Sequence, residues 1–297
     1  MTDPNNLVER PRMPLNVDTA DVGAVQRRVA QDYWCLFPAG DQGFVTRVFP
    51  QVVECFQGQH PDYQPIDARY HDLEHTLQGT LCFSTLLRRR AQAGVRPVLT
   101  EETFQLGLLA ILLHDTGYLK RRDDTEGTGA KYTTVHVNRS CDFAERFLAP
   151  KGFSMRQIHA VQNMIRCTGL GVKVTALAFQ SEEERTTGFA LGTSDLIGQM
   201  AAADYLEKLP ILFTEFAESA AYNAGRGGGG GGQLFASVED LMKRTPGFWS
   251  HYVLPKIEQD FQGLYRFLTD PLDGRNEYVE RIEANIERLQ RQLAAAA

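Results

Sequence analysis

The longest apolar run in this sequence, Leu106 to Leu113, is far shorter than the roughly 20 residues a spanning helix needs. The polar, proline-containing start MTDPNNLVERPRMP also lacks the apolar stretch of a secretory signal. A membrane partner is therefore excluded and a cytoplasmic location expected. Cysteines are few and scattered: Cys35, Cys55, Cys82, Cys141 and Cys167 include no Cys-x-x-Cys pair, so reduced thiols, mostly buried, are the simplest account. There is no excess of basic residues. With 31 Lys and Arg against 37 Asp and Glu and a net charge of -6, the chain has no footprint for general nucleic-acid binding. Alternating, strand-like runs are scarce as well. What remains is an ordinary globular composition, 43% hydrophobic and 23% charged, able to offset its ordering entropy.

Apolar residues recur at intervals of three and four almost throughout, which predicts an all-α fold of helices packed on helices. Helices are expected near Asp18–Cys35, Gly43–Phe56, Tyr70–Ala93, Thr100–His114, Thr134–Leu148, Met155–Cys167, Ser194–Leu206, Leu212–Tyr222, His251–Leu268 and Glu277–Leu293. Thr100 reads as an N-terminal cap, and Gly117 and Gly152 as stops. Residues 1–15 are expected to be a flexible N-terminus and 16–297 a single domain, with C-terminal helices over 237–297. The glycine-rich run at 225–233 favours no regular element and reads as a flexible loop or insertion. The stripe of Val279, Ile282, Ile286 and Leu289 should dock on the chain's own core, with a homodimer as the alternative.

Chemistry concentrates in three segments. His71 and His75 in YHDLEH are four apart, a spacing that puts both on one helical face, where they could share one centre or simply form a surface pair. His114 and Asp115 end the apolar run LGLLAILLHD, so they must either emerge into water or be satisfied at a site; a C-terminal cap is the plainer alternative. Asp195 in GTSDLIGQMA lies among cap candidates at an expected helix start, yet Leu196, Ile197 and Met200 would bring it toward the interior. Imidazole nitrogens and carboxylate oxygens together suit a divalent metal: Zn, Mn, Fe, Co or Ni at a tight site, with Mg or Mn plausible at a weaker one.

In order and spacing, these segments resemble the HD-domain superfamily of metal-dependent phosphohydrolases. YHDLEHT is similar to the YHNxxHA motif of its class I cyclic nucleotide phosphodiesterase branch, and TSDLIGQMA to that fold's last metal-ligand helix. The resemblance spans about Arg69 to Ala203 and implies a helical HD/PDEase-like bundle with N- and C-terminal helical extensions, its metal-binding core at about 69–203. It implies that His75, His114, Asp115 and Asp195 ligate one metal and that Asp115 can bridge to a second. It makes His71 the catalytic proton donor to the leaving oxygen, with Asp115 beside the metal-activated hydroxide. His136 resembles a further histidine of other HD branches and could reach a second metal or the substrate phosphate, as could Lys131.

The departures are specific. Asp72 replaces the motif's Asn, and TGYLK follows His114-Asp115 without the additional histidine of the phosphodiesterases. Cys167 stands near where dinuclear branches often supply another histidine and is better read as core. Gln199 and Gln259 are candidates for a base-holding glutamine. Lys120, Arg121 and Arg122 form either a phosphate-attracting border or an ordinary solvated loop, and Arg88, Arg89 and Arg90 read as a wet helix face. The expected partner is a small-molecule phosphoester, such as a cyclic nucleotide-like diester or a nucleotide. A phosphomonoesterase and an inactive metal-binding scaffold are the alternatives.

Overall fold

The apolar segment that ends in His114 becomes the buried centre of the molecule. In the computed structural model, which describes residues 17–226 and 234–295, it forms α4 (Glu101–Leu113), apolar on nearly every face and buried from Leu106 through Leu113. Three helices surround it: α3 (Leu73–Gln92), α6 (Met155–Arg166) and α7 (Glu182–Met200). α1 (Val22–Leu36) and α2 (Phe44–Phe56) close one side, and α5 (His136–Leu148) packs on α6. The remaining helices are α8 (Tyr205–Ala224), α9 (Val238–Phe248) and α10 (Glu277–Ala295). Ten α-helices and no strand occur among the described residues, and one continuous apolar core runs from Val25 to Leu289. None of these helices is long and apolar enough to cross a membrane. Residues 1–16 and 227–233, which hold the expected flexible start and most of the glycine-rich loop, lie outside the described residues.

Several helix ends fall where side chains satisfy free amides. Thr100 accepts from the Thr103 amide, and Ser154 forms a reciprocal capping box with Gln157. Gly152 takes the left-handed conformation, φ 85°, that ends the turn after α5.

Others correct the sequence reading. α7 begins at Glu182, capped by Ser181, so Asp195 sits deep within a helix rather than at its start. Three glutamates in the first turn of α7 suit the positive helix end and mark this true start. α8 begins at Tyr205 rather than after Pro210; burial of Leu206 and Leu209 offsets the one amide bond Pro210 cannot make. The single helix expected over His251–Leu268 is instead two wide π turns, Trp249–Val253 and Lys256–Asp260, then a 3-10 turn, Leu264–Leu268. Pro255 lacks an N–H and Gly263 adopts φ 68°, which interrupts regular α pairing. α9 falls within the C-terminal helices expected over 237–297, and Ser237 caps it with acids in its first turn. α10 does dock on its own chain, burying Ile282, Ile286 and Leu289 against α7, α8 and α9.

Candidate metal centre

His75 lies in the first turn of α3, whose N-cap is Asp72: its Oδ1 accepts the His75 amide at 2.9 Å. His71 therefore precedes the helix, and the two histidines are not helical i, i+4 neighbours. Their rings are still close, 5.5 Å between centroids and nearly perpendicular. α7 crosses α3 tightly because Gly198 meets the Gln78 carbonyl: a Cβ there would lie 2.9 Å from its oxygen. This close approach brings Asp195 to His75 across the interface. His114 caps the C-terminus of α4, and Asp115 begins the 3-10 turn Thr116–Tyr118.

These elements join four side chains. His75 Nε2 lies 3.2 Å from both Asp115 Oδ2 and Asp195 Oδ1, and His114 Nε2 lies 3.3 Å from each of the same oxygens. All four groups are buried. Atoms held about 2.1 Å from one ion are about 3.0 Å apart at right angles and about 3.4 Å apart at the tetrahedral angle, so these histidine–carboxylate separations fit a shared cation. The donor atoms of His75, His114 and Asp195 all lie within 4.8 Å of one another, and Asp115 lies against both histidines. Three of the atoms, His114 Nε2, Asp115 Oδ2 and Asp195 Oδ1, are buried without a hydrogen bond of proper geometry, a state that is costly unless an ion satisfies them. His114 Nδ1 meets the Ile111 carbonyl at 2.6 Å, so that nitrogen holds the proton and Nε2 presents its lone pair.

The electrostatics agree with the donor set. Burial alone would lower the His75 pKa, but Asp115 and Asp195 push it up to about 10. Burial would raise both carboxyls, yet His114 and His75 hold them below the usual carboxylate range. Two buried carboxylates that stabilise a protonated His75 this strongly would stabilise a divalent cation in its place. His136 also approaches: its Nε2 is 3.9 Å from Asp115 Oδ1, while Nδ1 donates to the Thr133 carbonyl at 2.7 Å. Burial lowers the His136 pKa, with Asp115 opposing, which leaves a neutral imidazole.

The residue that the sequence reading missed is Glu215. Its buried carboxylate accepts the Tyr70 amide at 2.7 Å and meets His71 Nδ1 at 2.6 Å. Burial would raise its pKa, but the His71 ring and backbone amides hold it below the ordinary value, so it is ionised. One carboxylate amid Leu212, Phe213 and Phe216 was the available signal.

Other expectations are corrected. Lys131 is buried, with its ammonium bound to Asp124 and to the Glu126 carbonyl, so it is not available to a metal or phosphate. Lys120 pairs with Asp67 at 2.9 Å, Arg122 donates to the carbonyls of Gly58, His60 and Pro61, and Arg121 lies over the Tyr63 ring. Lys120 is buried, whereas Arg121 and Arg122 are exposed and pin a solvated loop to its own chain, so the segment is the expected solvated loop rather than a phosphate border. Arg89 and Arg90 are largely buried rather than a wet face, bonding the Leu268 and Pro97 carbonyls. Gln199 is held at both ends, by the Tyr70 hydroxyl at 2.7 Å and the Asp195 carbonyl at 3.1 Å. Cys167 is buried in the core, as expected.

Gly117 does not stop α4. Its role is close approach: a Cβ there would lie 2.0 Å from the His136 carbonyl oxygen. Gly117→Ala is expected to destabilise the protein by at least about 1–3 kcal/mol, the usual cost of overpacking, and to displace His136. Denaturant unfolding of the two proteins measures this, and equal midpoints would show that the backbone there yields freely.

A family model described as Npun_R2479-like matches residues 122–292, more than half of the chain. The chain belongs to the Npun_R2479-like family. The matched part of this Npun_R2479-like protein holds His136, Asp195 and Glu215, while His71, His75, His114 and Asp115 precede it. No curated protein matches the sequence. Among solved structures, the chain is similar to the phosphodiesterase domain of the RhoPDE fusion protein from the choanoflagellate Salpingoeca rosetta. The TM-score is 0.59 at 16% identity, over 95% of this chain and 94% of that one. The likeness is one of fold: an all-helical bundle of the phosphodiesterase type.

Proposed function

We propose that this protein is a metal-dependent phosphohydrolase that cleaves a small phosphodiester. The observation that carries the reading is the buried group of His75, His114 and Asp195, whose donor atoms all lie within 4.8 Å of one another, with Asp115 against both histidines and the His71–Glu215 pair beside it. The likeness to a phosphodiesterase domain supports it at the level of fold. A divalent metal held by those four residues would supply Lewis acidity toward a phosphoryl oxygen and lower the pKa of water.

The chain's own residues supply the rest. Glu215 accepts a hydrogen bond from the Nδ1–H of His71, which fixes the ring and leaves Nε2 to face the substrate. When the ring is protonated, Nε2–H is the donor for the leaving oxygen and Glu215 carries the balancing charge. His136, with Nδ1 fixed on Thr133, presents Nε2 to the same side of Asp115 and can contact a phosphoryl oxygen.

The preference for a diester follows from charge. A monoester dianion calls for lysine or arginine. Near the cluster, Lys120, Lys131, Arg122 and Arg139 are committed to carboxylates or carbonyls, and Lys208 is shared among Asp72, Glu74 and Asp204 at 3.2–3.8 Å. A singly charged diester needs no such complement. With added Mn2+, bis(p-nitrophenyl) phosphate is expected to be hydrolysed at least about tenfold faster, by kcat/KM, than p-nitrophenyl phosphate. Chelation should abolish both activities. The reverse preference would make the enzyme a monoesterase, and no metal-dependent turnover of either would favour a scaffold.

A further inference from the structure

Both imidazoles beside the metal cluster rest on one ring. Tyr118 stacks on His71 with centroids 4.4 Å apart and planes 12° apart, and on His136 at 4.7 Å and 21°. The two histidine centroids are 6.1 Å apart. Rings on opposite faces of a phenol would be at least about 7 Å apart, since each face contact spans about 3.5 Å. At the shorter spacing the imidazoles lie side by side on the same face.

The ring beneath them is fixed. Tyr118 is fully buried, and its backbone is wedged against Gly129, where a Cβ would fall 2.0 Å from the Tyr118 carbonyl oxygen. Arg139 also holds this turn by donating to the carbonyls of Gly117 and Leu119. Each imidazole, by contrast, has one hydrogen-bond anchor, His71 on Glu215 and His136 on Thr133. A single hydrogen bond fixes a point on the ring but leaves its tilt free. Contact with a flat, immobile face removes that freedom.

We propose that Tyr118 is a positioning residue, a shared floor that sets the planes of His71 and His136 together so that both Nε2 atoms face the substrate side of the metal cluster. The role rests on the phosphodiesterase reading given above, but its geometry can be tested without it. The phenyl face performs the function, so Tyr118→Phe should preserve it and Tyr118→Leu should not. Misplacement of reacting groups by about 1 Å costs up to about 100-fold in rate.

The test compares wild type, Tyr118→Phe and Tyr118→Leu as zinc-loaded proteins by NMR of the imidazole Cε1–H groups, with metal content and turnover of diphenyl phosphate measured in parallel. Wild type and Tyr118→Phe should show both His71 and His136 resonances displaced upfield by the ring beneath them. In Tyr118→Leu both displacements should vanish together. Zinc content should stay equal across the three, while Tyr118→Leu loses about 10- to 100-fold in kcat with KM changed less than about twofold and Tyr118→Phe keeps most of the rate. If Tyr118→Leu does not fold, nuclear Overhauser contacts in wild type decide: Tyr118 ring protons must reach both imidazoles. Absence of those contacts, a shift at only one histidine, or a Tyr118→Phe variant as slow as Tyr118→Leu would overturn the shared floor. Wild type with both displaced resonances but no turnover would leave the floor standing and remove the phosphodiesterase reading instead.

Discussion

His114→Ala is expected to lower metal affinity more than about 100-fold and to bring phosphodiester turnover down to the level seen with chelator. Removing the outer partner of a metal-binding histidine already costs about 10- to 100-fold in affinity, and a direct ligand costs more. Here the imidazole is buried, its tautomer is set by the Ile111 carbonyl, and its Nε2 lies 3.3 Å from both Asp115 and Asp195. Without it, two buried carboxylates face only His75, and a bound cation would lose one of its nitrogen donors. Metal analysis after dialysis, together with circular dichroism to confirm the helical fold, measures the effect. Retained metal with normal turnover would show that His114 is a buried core histidine and not a ligand.

The second large effect separates proton transfer from metal binding. His71→Ala should keep its metal and lose about 10²–10⁴-fold in kcat on a diester whose leaving group needs a proton. Its ring contacts Glu215, Tyr118 and His75, but its nitrogen is not part of the four-atom cluster. The loss should depend on the leaving group: large for diphenyl phosphate, and less than about tenfold for bis(p-nitrophenyl) phosphate, whose p-nitrophenolate departs without help. Glu215→Gln should follow the same pattern with a smaller loss, since the amide can still accept from Nδ1 but cannot carry the balancing charge. Equal losses on both diesters would remove the donor role from His71. Loss of metal from His71→Ala would place His71 among the ligands.

Much of this centre was legible in the sequence because its residue types are costly to bury without a purpose. His114 and Asp115 at the end of an otherwise apolar helix demanded a partner, and the structure places Asp115 3.2 Å from His75 and His114 3.3 Å from Asp195, the other residues singled out. The helical class was readable from periodicity alone. What the sequence concealed was tertiary. Asp195 looked like a cap because Thr193 and Ser194 precede it, whereas the helix had begun at Ser181, whose capping role is visible only from its bond to the Glu184 amide. His71 and His75 suggested one helical face, but Asp72 opens the helix between them. Lys131 carried a charge that local spacing could not show to be already paired with Asp124. Glu215 and Tyr118 were hidden for a different reason: each acts by contact with a histidine distant in sequence, and neither lies in a motif.

The central claim is that four side chains from α3, α4 and its following turn, and α7 hold a single divalent ion. Diffraction data collected above and below the absorption edges of zinc, iron and manganese, on crystals of the protein as purified, test this directly. The account predicts one strong anomalous peak about 2.0–2.3 Å from His75 Nε2, His114 Nε2, Asp115 Oδ2 and Asp195 Oδ1. Side chains turned away from one another, with no anomalous density among them even after crystals are soaked in each metal, would contradict it.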